Sequence, residues 1–269
     1  MRKKYELTDE CKVVGAHNLY RIRALKAIPK FGVRVGDLGG WIESEDNLSQ
    51  KGDAWVDGKA IVYGGAEVSG NARVFDVAAV YNSARVYGEA KVYGKASICG
   101  EAKVYDHAVV YGEARVYGNA RVFGNAEVYG KAEVYGEARV YDLAWVFDNA
   151  EVSCNARVYG DSGVYGKARV YDDARVHGDV MVCGEAKICG NAKVSRSADY
   201  MVFKNSWSSG RFFTYTSSNK KWTVGCFHGT GQELIIKAYA DSEISGRCYE
   251  SIVKAVEQIE KDKAKLGKN

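Results

Sequence analysis

The sequence predicts a mainly β chain: a three-sided parallel solenoid of about eight 18-residue coils, an N-terminal β cap over residues 1–53, and a small α+β domain over residues 199–269. Three observations carry this prediction. From Ala54 to Ala192 a small residue recurs every six positions through 24 consecutive hexads, and it is Ala in 22 of them, Ser162 and Val180 being the exceptions. Two positions later comes Val in 22 hexads and Ile in two, Ile98 and Ile188. Residues two apart on a strand face the same way, so these pairs point inward. The third observation is how the residue between them sorts. Every third hexad gives Glu67, Arg85, Lys103, Arg121, Arg139, Arg157, Arg175 and Lys193, seven of eight basic, whereas the other 16 hexads hold only Arg73, Lys91, Arg115, Arg169 and Lys187. A two-hexad coil would mix these classes and a three-hexad coil stacks them. At a strand spacing of ~4.8 Å, eight coils make a rod of roughly 35–40 Å.

Ahead of the repeat, residues 19–28 alternate apolar and polar, which predicts a strand, and residues 31–35 a second extended stretch. His17 and Asn18 suit a turn. Gly39-Gly40 allows a bend, and Trp41 is the expected apolar plug of the open first coil, whose strand edges and aliphatic core need a cover. Within the repeat, the fifth position is Gly in 16 hexads and Asp or Asn in six more, residues that tolerate the left-handed backbone of a corner. The residue after Val is Tyr or Phe in 16 of 24 hexads, so stacked aromatic columns are expected on every face.

Past Ala198, residues 212–215 and 222–227 read as strands joined by a turn at 217–221. Thr230 and Glu233 form a capping box for a helix to about Ala240. A second helix follows from Ser242 to Ile259, with Tyr249, Ile252, Val253, Val256 and Ile259 on one face and a frayed basic tail after it.

The small-then-aliphatic hexads resemble the hexapeptide-repeat left-handed parallel β-helix, which implies left-handed winding; the general preference for right-handed crossovers points the other way. Gly39-Gly40-Trp41-Ile42, Asn47-Leu48-Ser49-Gln50 and Gly52-Asp53-Ala54-Trp55-Val56 resemble the segments that lead into the repeats of bacterial and phage β-solenoid proteins of the YdcK type. That family implies a solenoid and supplies no catalytic residues. Gly225-Cys226-Phe227-His228-Gly229-Thr230 with Glu233 resembles a small C-terminal module of proteins from Firmicutes and their phages.

Composition bounds the function. Seven cysteines without a CxxC pair read as reduced thiols, neither a disulfide frame nor a zinc site. The N-terminal residues lack an apolar leader and no run approaches a membrane span, so the expectation is a cytoplasmic protein. A net charge of +4 is mild. The inward Ala and Val leave no room for a buried ligand, and neither a cofactor nor a metal is expected.

Two surfaces depart from regularity. Leu143, Trp145, Phe147 and Met181 form an apolar cluster in which Gly163 leaves room for the indole. Its expected occupant is the chain's own C-terminal segment, another subunit or a foreign protein, self-contact being favoured. The basic column Arg85, Lys103, Arg121, Arg139, Arg157, Arg175 and Lys193 runs beside Tyr105, Phe123, Tyr141 and Tyr159, a pattern that suits phosphate contact and base stacking. Against that, its face sums to only +2, and Arg stacked on Tyr with Glu101, Asp106, Glu137 and Asp142 at the corners reads as an ordinary solvated surface. His107, His177 and the Cys226/His228 pair are the catalytic candidates, and none sits in a recognisable constellation. We therefore expect a non-catalytic scaffold or binding protein that shows its outer faces and C-terminal domain to a macromolecular partner, one form being a phage protein acting on a host or defence protein. Acyl transfer is the leading alternative, and nucleic-acid or other polyanion binding along the Arg/Tyr face the second.

Overall fold

The computed structural model describes residues 3–266. Met1 and Arg2, part of the stretch read for a leader, and residues 267–269 of the basic tail lie outside the described residues. Each of the 24 hexads contributes a two-residue strand, from Trp55–Val56 to Lys193–Val194. Each strand pairs in parallel with the one 18 residues away, as Arg121 does with Lys103 and Arg139. Three sheets result. The first face runs from Trp55 through Trp145 to Met181, the second from Ile61 through Arg115 to Lys187, and the third from Glu67 through the basic column to Lys193.

The inward pairs are buried throughout and form one continuous core. Around it, backbone hydrogen bonds join successive coils. Arg121 N donates to Ala138 O at 2.9 Å, Phe123 N to Val140 O at 3.0 Å and Asn125 N to Asp142 O at 2.7 Å. The corners require a positive φ, and the non-glycine corner residues show it: Asp76, Asn82, Asp106, Asp142, Asp148 and Asp172 lie between 56° and 60°. Cys154, the one corner residue of this conformation that is neither Gly, Asp nor Asn, sits at 56°.

The N-terminal end differs from the expectation in several ways. A hairpin of Tyr5–Val14 and His17–Ala24 turns at Gly15 (φ 60°), so His17 and Asn18 lie in a strand and not in the turn. Residues 31–35 form no strand; Phe31 ends a short 3-10 turn and Val33 makes a single bridge to Ile28. Strand Leu38–Ile42 joins the hairpin to the second face, where Trp41 pairs with Ile61 and Leu48 bridges to Val68, both 20 residues apart. Ile42 and Leu48 therefore begin a partial ninth coil, two residues longer than the rest. The fully buried indole is Trp55, packed edge-on to Tyr5 at 6.5 Å. Trp41 is only half-buried, with Lys12 Nζ 4.5 Å over its ring.

Three groups cap the open edge of the first coil. Its carbonyls have no preceding coil to accept from, and an unpaired buried backbone group is costly. Ala54 O accepts from Lys4 Nζ at 2.7 Å, Ala60 O from Trp41 N at 3.0 Å, and Ala66 O from Asn47 Nδ2 at 2.8 Å. At the other end, Lys187 N donates to Thr214 Oγ1 (2.9 Å) and Lys193 N to Ser218 Oγ (2.7 Å), so hydroxyls of the C-terminal domain cap the last coil.

That domain is a four-stranded antiparallel sheet, Tyr200–Lys204, Phe212–Thr216, Lys221–Val224 and Phe227–Gly229, covered by two helices. The turn at 217–220 is where the sequence places it, but 222–227 is two strands broken at Gly225. Helix α1 (Gly231–Asp241) starts on the Thr230/Glu233 capping box. Helix α2 (Glu243–Leu266) runs seven residues past Ile259, through most of the tail read as frayed. Tyr249, Val253 and Val256 pack on Phe213 and Trp222, whereas Ile259 is exposed.

Candidate functional site

The basic column of the third face is continuous in space. Arg85, Lys103, Arg121, Arg139, Arg157, Arg175 and Lys193 are each paired directly with the next. Among the described residues most of them stand without a carboxylate partner, as Lys91 and Lys187 do on the other faces, but here six such cations are consecutive. On the other two faces Arg73 meets Asp57 (2.7 Å), Arg115 meets Glu133 (3.3 Å) and Arg169 meets Glu151 (2.5 Å). On the third face Arg85 meets Glu67 at 2.9 Å. Among the described residues, no carboxylate lies within 4.0 Å of the next six cations, Lys103 to Lys193.

Three of the four acids expected to neutralise the column, Asp106, Asp142 and Glu137, hydrogen-bond to neutral groups. Asp106 Oδ2 accepts from Gly124 N at 3.3 Å and Asp142 Oδ2 from Gly160 N at 3.2 Å, each bracing the next corner. Glu137 Oε1 accepts from Asn119 Nδ2 at 2.7 Å. Nor do the column's guanidinium groups lie over its rings, as expected of an ordinary solvated face; within the solenoid that contact is made by Arg73 over Phe75 and Arg115 over Tyr117, on the other faces. Of the two supports of the solvated-surface reading, the stacking of Arg on the rings is not made, and the corner acids remain beside the column without pairing to it.

Beside the cations runs an unbroken stack of six rings. Tyr87, Tyr105, Phe123, Tyr141, Tyr159 and His177 follow one another at 4.9, 4.9, 4.9, 5.0 and 5.1 Å, with planes within 17° of parallel. Each interior ring turns its faces to its own column and offers solvent its edge. Base stacking on Tyr105, Phe123, Tyr141 or Tyr159, the second half of the nucleic-acid expectation, therefore has no platform. Burial raises Tyr87, Tyr105 and Tyr141 above the usual phenol range, against the pull of Arg85, Arg121, Arg139 and Arg157 nearby. Their hydroxyls stay protonated and can donate.

The apolar cluster is looser than its spacing promised. Leu143 and Trp145 are 51% and 38% exposed, and the C-terminal domain docks on the last coil without covering them, so the chain's own C-terminal segment is not the occupant among the described residues. Phe147 is a rung of the first face's ring stack, between Tyr129 and Tyr165 at 4.9 and 4.8 Å. The space at Gly163 is filled from the other side. The Met181 thioether lies 2.5 Å from where a Cβ would stand, and no indole atom comes within 4 Å of that point.

Of the catalytic candidates, His107 stands at an exposed corner and His177 ends the ring stack. Cys226 is exposed and His228 turns away from it, to Cys189 Sγ at 3.2 Å and Thr223 Oγ1 at 3.1 Å. Cys189 also contacts Thr223 Oγ1 at 3.1 Å, and burial pushes its thiol up. This cluster seals the seam between last coil and C-terminal domain. The sequence does flag it, because Cys189 stands where most hexads carry a ring. Among the described residues no group of three or more His, Cys, Asp or Glu is placed to hold a metal ion, and no helix is long and apolar enough to cross a membrane.

A family model described as the YdcK Beta solenoid repeat matches residues 114–130 and 168–184, each stretch one circuit of three hexads beginning on the second face. No curated protein matches the chain. With these repeats wound into eight full coils and a partial ninth behind a strand cap, the chain is a YdcK-type β-solenoid protein.

Proposed function

We propose that this protein is a non-catalytic binding scaffold, and that its basic third face is the surface presented to a macromolecular partner of opposite charge. The observation that carries this reading is the run of six cations, Lys103 to Lys193, with no carboxylate within 4.0 Å among the described residues. Like charges stacked one strand spacing apart repel one another, and an unneutralised row of them favours any polymer that brings counter-charge. The filled Val and Ala core supports a non-catalytic role by leaving no space along the rod for a substrate, as do the separate structural contacts of His177 and His228. Resemblance of the hexads to left-handed parallel β-helices supports that winding here, and the thiol-rich composition supports a cytoplasmic setting.

Retention on immobilised heparin, a generic polyanion, tests the reading. The wild-type chain should elute at clearly higher salt than Arg121→Gln/Arg139→Gln/Arg157→Gln. The charge-matched control Lys59→Gln/Lys95→Gln/Lys131→Gln, which removes cations from a corner of the second face, should elute close to wild type. Equal elution of the two triple variants would show that net charge alone acts and would sink the proposal. Turnover of acetyl-CoA with acceptor amines, lost in His107→Ala or His177→Ala, would favour the acyltransferase alternative instead.

A second reading rests on Leu143 and Trp145, which the described residues leave 51% and 38% exposed. They offer a small apolar contact for a protein partner, including a phage-encoded chain's host target. Loss of a captured partner on Leu143→Ser/Trp145→Ser, with heparin retention unchanged, would assign that contact separately.

A further inference from the structure

Resting on the basic face as a binding surface, we infer that its occupant is a single extended acidic polysaccharide with one carboxylate per sugar, laid along the coil axis. Four features of the face select this chemistry.

The first is the period. The cations advance by one strand spacing per coil, ~4.8 Å, in a straight line. A duplex nucleic acid carries one charge per ~1.7 Å of axis, carried around a helix and not along a line. A straight row meets few of those phosphates in register. A linear β-1,4-uronate polymer is an extended ribbon with one charge per sugar and a sugar repeat close to a strand spacing; alternate sugars turn their carboxylates to opposite edges, so the carboxylates of one edge recur every second coil and can meet every second cation of the row.

The second is width. Beside the cations runs a corner column of Glu101, Asn119, Glu137, Asn155, Asp173 and Asn191, in which Asn119 donates to Glu137 and Asn155 to Asp173 (3.2 Å). This column fences the row. A wide, doubly charged duplex would lay phosphates over its carboxylates, whereas one narrow chain on the row avoids them.

The third is the closed ring stack. Single-stranded nucleic acids gain much of their affinity by stacking bases on aromatic faces, typically ~1–3 kcal/mol per base. The faces of Tyr105, Phe123, Tyr141 and Tyr159 are taken by one another. Their edges remain, and with them the hydroxyls of Tyr87, Tyr105, Tyr141 and Tyr159, hydrogen-bonding groups set one per coil beside a cation. Sugar hydroxyls are natural partners for such a row. Phe123 is the single gap in it.

The fourth is length. The six cations unpaired among the described residues define a finite track, so affinity should grow with chain length and then stop growing. That dependence separates a register-matched polymer from a diffuse counter-ion cloud.

The test is calorimetric titration of the full chain with β-1,4-oligomannuronates of three to ten sugars, with single-stranded oligothymidylate of matched charge, and with a short duplex. Affinity should rise from the trimer to about the hexamer or heptamer and then level. Oligomannuronate should bind at least tenfold more tightly than oligothymidylate at equal salt, and the Arg121→Gln/Arg139→Gln/Arg157→Gln variant should lose at least tenfold. Tyr105→Phe/Tyr141→Phe, which keeps every charge, should weaken oligomannuronate but leave heparin retention unchanged. Equal or tighter binding of oligothymidylate or duplex overturns the carbohydrate assignment and makes nucleic acid the occupant. Heparin retention without a length plateau for oligomannuronate overturns the register argument and leaves the basic face standing as a binding surface. Failure of heparin retention overturns both.

Discussion

Asn47 is the most exacting point of the N-terminal seal, and its removal has a calculable cost. The side chain is fully buried and all four of its hydrogen bonds go to backbone. Nδ2 donates to Gly64 O at 2.9 Å and Ala66 O at 2.8 Å, and Oδ1 accepts from Glu43 N at 3.1 Å and Ser44 N at 2.9 Å. One residue thus closes the first coil's third-face edge and holds the turn that begins the partial ninth coil. Glu43 N keeps Val62 O as an alternative acceptor at 3.2 Å. Asn47→Ala therefore strands three groups outright, two carbonyls and the Ser44 amide. At ~1–1.5 kcal/mol for each lost bond, the variant should be less stable by about 3–5 kcal/mol. A solenoid's coils depend on their neighbours, so the loss should show first as faster amide exchange at Glu43, Ser49 and the first coil, with central coils protected. Urea unfolding followed by circular dichroism measures the total, and Trp55 fluorescence reports the cap. A loss below about 1 kcal/mol with an unchanged denaturant slope would refute the capping argument, since water would then be serving those carbonyls as well as Asn47 does.

Four further outcomes follow from the same geometry. Val122, fully buried in a central coil, should not tolerate a carboxylate: Val122→Asp should abolish a cooperative thermal transition, and normal melting would overturn the inward assignment. Lys4 is 4% exposed, and burial, partly offset by Asp53, lowers its ammonium to about 8. The unfolded chain keeps that proton up to about 10.5 while the folded chain releases it near 8, so stability should rise between those values, by up to about 3 kcal/mol, relative to Lys4→Met. Burial and the nearby Glu127 carboxylate push Tyr111 up to about 12, so its contribution is intact below pH 10 and lost between 10 and 12; ultraviolet titration should show Glu127→Gln ionising this ring earlier. Thiol labelling with mass-spectrometric readout should modify the exposed Cys11, Cys154 and Cys226 quickly and Cys189, 1% exposed, only after unfolding; equal rates at Cys189 would mean the C-terminal domain lifts from the last coil.

Much of the solenoid is legible residue by residue, because each hexad repeats the same local problem. Inward Ala and Val, the 18-residue coil and the Asp and Asn corners all follow from steric rules that act within a few residues. What was not legible depends on contacts between distant segments. The strand Tyr5–Val14 carries little alternation, since much of its length is exposed, and it exists because His17–Ala24 pairs with it. Trp41 and Trp55 look equally suited to plug the first coil. Both hold the outward register, paired with Ile61 and Arg73, and what buries Trp55 is the cover of Tyr5 and Gly39 from the N-terminal cap, which no local pattern announces. Cys189 pairs with His228 across 39 positions, whereas Cys226, two residues from the histidine, invites the wrong pairing.

The basic face shows the same division more sharply. Counting charges along its hexads gives a nearly balanced surface, and that count is correct. What the count does not show is position: among the described residues no carboxylate lies within 4.0 Å of Lys103 to Lys193, although the corner acids keep their charge and act across the face. Asp106 and Asp142 are committed to corner amides, one coil along, where a positive-φ backbone presents an N–H that needs an acceptor. Glu137 is committed to Asn119. The repeat that makes the rod therefore holds these oxygens at the corners and off the cations, because corner and coil engage them first. The cations between Ala and Val meet no such demand, since both backbone groups around them are already paired between coils. Where an acid stands one coil away, as beside Arg73, Arg115 and Arg169, it takes up that charge; from Lys103 to Lys193 none does among the described residues, and this row of charge at strand spacing is what the fold leaves available.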